Sequence, residues 1–152
     1  MVIVTDYYLR TWNDPILRKK CREVKDFSNL DPLIYAMHSI MSEYNNVGGI
    51  AAPQVGDDRQ VILALIGNRF QALVNPVIYK AWRFKPSLEA CLSFPGKGFF
   101  KMRKSGILVE YQTTTGETRN EKYNGLSARI LQHEIDHLNG IVLYNGKNPE
   151  RK

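Results

Sequence analysis

The chain has 152 residues, 43% apolar and 24% charged, the size and balance of one globular domain over 1–152. No stretch approaches the ~20 apolar residues that cross a bilayer, and the longest apolar run, at 61–66, is of strand length. The start MVIVTDYYLR lacks the basic, apolar and small-residue regions of a signal peptide. A cytoplasmic protein with no membrane partner is expected, although a removed organellar leader would leave no trace. The net charge of +6 comes from 21 basic and 15 acidic residues. Its short clusters at 18–22, 101–104 and 147–152 read as solvated surface, with no motif for a specific nucleic-acid partner.

The first predicted helix spans 31–44. Asp31 is placed to cap it and Pro32 suits its first position. Leu33, Met37, Ile40 and Met41 recur on one face, and His38 reads as an ordinary helix-face histidine. Segments 60–65, 70–74 and 77–82 are rich in Val, Ile and aromatic residues and read as strands. Gly67-Asn68 and Asn75-Pro76 are turn signals between them. Segments 107–112 and 118–123 flank Thr115-Gly116 as a hairpin. A second helix is predicted over 126–138, closed by Gly140, with a last short strand at 141–144. This order implies an α+β fold, mainly antiparallel strands packed around the second helix.

That second helix carries His133-Glu134-Ile135-Asp136-His137. At 3.6 residues per turn the two histidines lie one turn apart on one face, where they can share a metal ion. Glu134 follows the first of them and can take a proton from a water held at that ion. Leu126, Ile130, His133 and His137 form a continuous stripe, expected to pack against the core. Catalytic sites of this kind use three protein ligands. Of two cysteines, Cys21 sits among charges and reads as a bystander. Cys91, in a small-residue, turn-like stretch from Ser87 to Gly96, is the natural third ligand, since Cys/His/His sets suit Zn²⁺ or Fe²⁺. Val47-Gly48-Gly49-Ile50-Ala51-Ala52-Pro53-Gln54 adds glycines that let a substrate backbone approach and an amide that can donate to an oxyanion. A tight turn leading into a strand is the plainer reading of that segment.

In this order, VGGIAAPQ, EACLS and QHEIDHLNG resemble the three motifs of the peptide deformylases. Asp14-Pro15-Ile16-Leu17-Arg18, Asn75-Pro76, Ser93-Phe94-Pro95-Gly96 and Gly125-Leu126-Ser127-Ala128-Arg129 are also similar to family segments. The resemblance implies removal of the N-formyl group from the initiator methionine of new peptides. It implies Cys91, His133 and His137 as metal ligands, with Fe²⁺ native and Zn²⁺ or Ni²⁺ in purified protein. Glu134 would be the general base, and Gln54 with the Leu92 backbone N–H would stabilise the oxyanion. Gly49 would pair with the substrate backbone. Gly48, Ile50, Ala90, Leu126, Arg129 and Ile130 would lie beside the substrate, and Glu89 with Arg103 would support the metal site. Val47, Gly48, Ile50 and Ala90 depart from the family pattern, so Ala90 is expected to narrow the substrate space and Gly48 to widen it. Twelve residues follow Gly140, too few for the long C-terminal helix by which many bacterial members dock. Contact with the ribosome surface is therefore expected without such a helix, and the working form is expected to be a monomer. The readings set against this are a metallopeptidase sharing the H-E-x-x-H pattern, a structural metal site, and an inactive relative that binds peptides.

Overall fold

The computed structural model describes residues 7–143. The expected strand at 141–144 adopts no regular structure as far as Leu143, and Tyr144 and the basic cluster at 147–152 lie outside the described residues. Five antiparallel strands form one sheet in the order β1-β2-β3-β4-β5: β1 (Gly49–Ala51), β2 (Val61–Ile66), β3 (Arg69–Cys91), β4 (Phe94–Gln112) and β5 (Thr118–Asn124). Two helices flank them, α1 (Asp31–Ser42) and α2 (Gly125–Leu138).

The period of two along β2 explains the layering. Ile62 and Ala64 pack with Ala128, Leu131, Ile135 and Leu138 of α2. Val61 and Leu63 pack on the other face with Leu33, Met37 and Met41 of α1. A helix on each side is why four successive β2 residues are buried.

Three expectations need correction. Asn75-Pro76 is no turn: β3 runs through it, with a register shift between Val74 and Val77. Pro76 has no N–H for the ladder and Asn75 accepts a left-handed backbone, φ 51°, so the chain bulges and continues. The Asn75 side chain is held by Val24 and Gln112. In α1, Leu30 holds the cap position without a side-chain bond; Asp31 is already helical, because Ile34 N–H donates to Leu30 O. In α2 the core-facing residues are Ala128, Leu131, Ile135 and Leu138, whereas Leu126 is 60% exposed. The stripe thus runs along the core's edge beside a groove: Ile130 packs against the core and His137 is buried, while Leu126 is open. Gly140 closes α2 as expected, at φ 73°.

Beyond Trp82 the chain departs further from the sequence reading. Among the described residues, 80–91 of β3 pair only with β4 and 94–105 of β4 only with β3, as a two-stranded ribbon. Of the stretch from Ser87 to Gly96, expected to be turn-like, only the tip Leu92-Ser93, between the paired Cys91 and Phe94, is a turn; the rest is strand. The ribbon folds over α2 and brings Cys91 to the histidines.

The N-terminal segment straps these parts together. Arg10 N–H donates to Gln54 O at 2.7 Å and Trp12 N–H to Ser93 O at 2.8 Å. Nearby, the Arg59 guanidinium grips Asp57 through both oxygens at 2.9 and 3.0 Å and donates to Asn29 Oδ1 at 3.0 Å. Cys21 is buried; burial, then the charges of Asp58 and Asp57, push its thiol up to about 12. It is an inert core residue.

Burial works against the Asp57 carboxylate, but the bonds and charge of Arg59 outweigh it and hold its carboxyl below 3.8, the unperturbed value. A depressed carboxyl stabilises the fold above its unfolded value, and that contribution is lost as pH falls through the folded value. Asp57→Asn is therefore expected to melt lower than the wild type at pH 7, with a smaller further drop in Tm between pH 5 and pH 3. Parallel acid sensitivity of the two proteins in a thermal melt would contradict this.

Candidate metal centre and its groove

Helix α2 presents His133 and His137 from successive turns, their ring centroids 5.1 Å apart. The ribbon tip delivers Cys91, whose Sγ lies 3.4 Å from His137 Nε2. The donor atoms of Cys91, His133 and His137 all lie within 4.8 Å of one another, so they could hold one ion with bonds of about 2.0–2.3 Å. The fit extends to the surroundings. The Glu89 carboxylate meets His133 Nδ1 at 3.1 Å, leaving the other ring nitrogen for a metal, the usual arrangement of a metal-binding histidine. His137 is fully buried; burial, then the positive charges around it, keep its pKa well below 6.5. It is thus neutral, as a ligand must be. Burial opposes charge on His133 too, yet Glu134, Cys91 and Glu89 outweigh it and raise its pKa to about 10. That concentration of negative groups is what a divalent cation would neutralise.

Glu89 itself is held by Arg103 through two bonds of 2.8 and 2.9 Å. Arg103 also donates to Asp136 Oδ2 at 2.6 Å, and Lys101 reaches the same oxygen at 3.2 Å. Burial disfavours the Glu89 carboxylate, but His133 and Arg103 hold its carboxyl far below the usual range. Asp136 and Lys101 are members of this network that sequence reading passed over. Asp136 was legible only as the x before His137, on the face that the ribbon covers.

Glu134 is 4% exposed, and its Oε1 has no hydrogen-bond partner among the described residues. Burial pushes its carboxyl up to about 7, while the positive charges of His133 and Arg103 pull the other way. A carboxyl so poised can accept and return a proton near neutrality. Gln54 is 1% exposed. Its Oε1 accepts from Ala51 N–H at 2.9 Å, which turns Nε2 toward Ser93 Oγ at 3.3 Å and Cys91 Sγ at 3.5 Å. An N–H donor therefore points at the site beside the sulfur.

A groove of about 640 Å³ opens on Cys91, His133 and Glu134. Of the residues expected beside a substrate, Gly48, Gly49, Ala90, Leu126, Arg129 and Ile130 line it, as do Gln54, Glu89 and Leu92. Ile50 does not. Alternation along β1 turns its side chain to the opposite face, where it is 0% exposed and packs toward α1. The expectation at Gly48 also changes. A Cβ there would lie 2.7 Å from Ile130 Cδ1, so Ile130 fills the space and no extra width results. At Gly49 a Cβ would meet Glu134 Oε2 at 2.8 Å, so that glycine is what lets Glu134 lie against β1. His38 is exposed on the outer face of α1, edge-on to Phe70.

Comparisons with known proteins identify the family. The family model for polypeptide deformylase matches residues 7–152. A peptide deformylase of Thermotoga sp. (strain RQ2) is 38% identical over 148 residues, covering 96% of this chain and 90% of that protein. The crystal structure of peptide deformylase from Thermotoga maritima superposes with a TM-score of 0.86 at 38% identity, covering 91% of this chain and 95% of that one. The crystal structure of peptide deformylase from Thermus thermophilus gives 0.85 at 39%, covering 90% and 83%. The chain belongs to the polypeptide deformylase family and is an enzyme of that family of metal-dependent hydrolases.

Proposed function

We propose that the whole chain, 1–152, is one catalytic domain that removes the formyl group from the initiator methionine of new peptides in the cytoplasm, working as a monomer. The observation that carries this reading is the convergence of Cys91, His133 and His137 within 4.8 Å, beside a buried Glu134 and the Gln54 amide. In this reading the three residues hold one divalent ion, Fe²⁺ in the native enzyme. The ion supplies a Lewis acid that polarises the carbonyl and acidifies water.

The chain's own groups do the rest. Glu134 takes the proton from the attacking water and returns it to the leaving amine. Gln54 Nε2–H and the Leu92 N–H donate to the oxygen where charge develops. Glu89, clamped by Arg103, fixes the His133 ring. Gly48 and Gly49, at the start of the short edge strand β1, offer backbone that an extended peptide can approach and pair with. Leu126 and Ile130 with the aliphatic part of Arg129 give the methionine side chain an apolar wall. Ala90 stands at the groove's other side, on β3.

Formate release is expected from a formyl-Met peptide and not from its acetylated or unblocked counterparts; cleavage only at internal peptide bonds would refute the reading. Glu134→Gln is expected to keep its metal, by elemental analysis, while kcat falls by roughly 10²–10⁴-fold. Cys91→Ser should lose metal to a chelator far more readily than the wild type. Glu89→Gln should show an intermediate loss of affinity, about 10–100-fold, with α2 intact by circular dichroism.

A further inference from the structure

Between Tyr79 and Ser105 the ribbon carries seven basic residues and one acidic residue, Glu89. Glu89 is taken up by Arg103 and His133, and Lys101 shares Asp136 with Arg103. Arg83, Lys85 and Lys104, with Arg129 of α2, have no carboxylate partner among the described residues. These four converge on a basin of about 590 Å³. Among the described residues no Asp or Glu lines it, and Trp82 forms part of its wall. Its edge shares Leu126 and Arg129 with the groove, so the two lie side by side.

Two further observations bear on what this basin takes. Arg83 is held at φ 56°, a left-handed backbone that a residue with a long side chain adopts only under strain, and such strain gathers at binding sites. The adjoining face of the ribbon is aromatic and open. Phe84 is 58% and Phe100 80% exposed, and Lys104 Nζ sits 3.6 Å from the Phe84 ring centroid. Register puts Phe84, Pro86 and Leu88 opposite Lys104, Met102 and Phe100 on that face.

We propose that the basin and this face bind single-stranded RNA without sequence preference. The four cations take phosphodiester oxygens, and Trp82, Phe84 and Phe100 offer rings on which bases stack. A peptide carboxylate would engage one or two of these cations and leave the others unmatched. A lipid surface meets a flat or convex face, whereas these charges line a concavity that a strand can follow.

The test is fluorescence polarisation of a labelled single-stranded oligouridylate with the full chain, over rising KCl. Four phosphate contacts predict a slope of log affinity against log salt near −3, about −0.7 per contact. The triple variant Arg83→Ala, Lys85→Ala, Lys104→Ala should bind at least about tenfold more weakly at low salt, with the slope shallower by about 2. Its turnover of a short formyl-Met peptide should be unchanged. The pair Arg83→Gly, Lys85→Ala, in which glycine accepts the left-handed backbone, should make the slope shallower by about 1.4 and guards against misfolding of the triple variant. Lys20→Ala with Lys25→Ala, exposed cations elsewhere on the chain, should leave binding unchanged. Equal weakening by the control pair, or no RNA binding by the wild type at low salt, would overturn the proposal. So would capture by phosphatidylserine vesicles, lost in the triple variant, without RNA binding.

Discussion

The Glu89 carboxylate joins the two parts of the chain that carry Cys91 and the two histidines. It stands two residues before Cys91 on β3 and bonds directly to His133 on α2. Arg103, from the facing strand, ties it to Asp136 on the same helix. The ribbon tip is therefore not merely near the helix; it is pinned there through ionic bonds with known partners. Arg103 is 5% exposed and Glu89 10%. In so dry a setting, a pair like this adds little net stability over an apolar substitute, but leaving one member alone costs about 3–5 kcal/mol. Its value is positional: few other registers of ribbon on helix would leave both charges satisfied.

The sheet explains why the groove lies where it does. Strand β2 is covered by a helix on each side, and β1 is a sheet edge only three residues long. Short edges are safe against aggregation, and this one has small residues along it. Gly48 and Gly49 give their space to Ile130 and Glu134. The same bare backbone thus packs against α2 and leaves a strand edge open above it. Side chains at these positions would displace Ile130 and the Glu134 carboxyl.

Much of the site was legible in the sequence because its strongest signal is local. A helix places residues 133 and 137 together whatever surrounds it, so His133, Glu134 and His137 needed no tertiary knowledge. Cys91 was legible only as a chemical match to those two histidines. Its strand was not, because the ribbon beyond Trp82 is exposed on much of both faces, and apolar alternation, the usual mark of a strand, is blurred there. Ile50 and Gly48 failed for a different reason. A run of small residues does not reveal which way each one faces, and a missing side chain reads as empty space until the neighbour that fills it is known. Asn75-Pro76 carries the residues of a turn, but Asn75 is engaged by Val24 and Gln112, which makes continuation of the strand the better use of the same backbone.

Charge shows the same limit from the other side. The net excess could be counted from the sequence, and along the chain it looked scattered. Folding sorts it. Lys19 and Arg22 turn to Asp58, Arg59 to Asp57, and Lys101 and Arg103 to Asp136 and Glu89. Along the ribbon the sorting follows which cation meets a carboxylate. Lys85 and Arg103 are cross-strand neighbours, yet Arg103 is buried beneath Glu89 while Lys85 stays exposed. With Glu89 already committed to the metal side, the ribbon has no acid left to answer its outer cations. The carboxylate that ties the ribbon to His133 is thereby also the reason the neighbouring surface keeps its positive field.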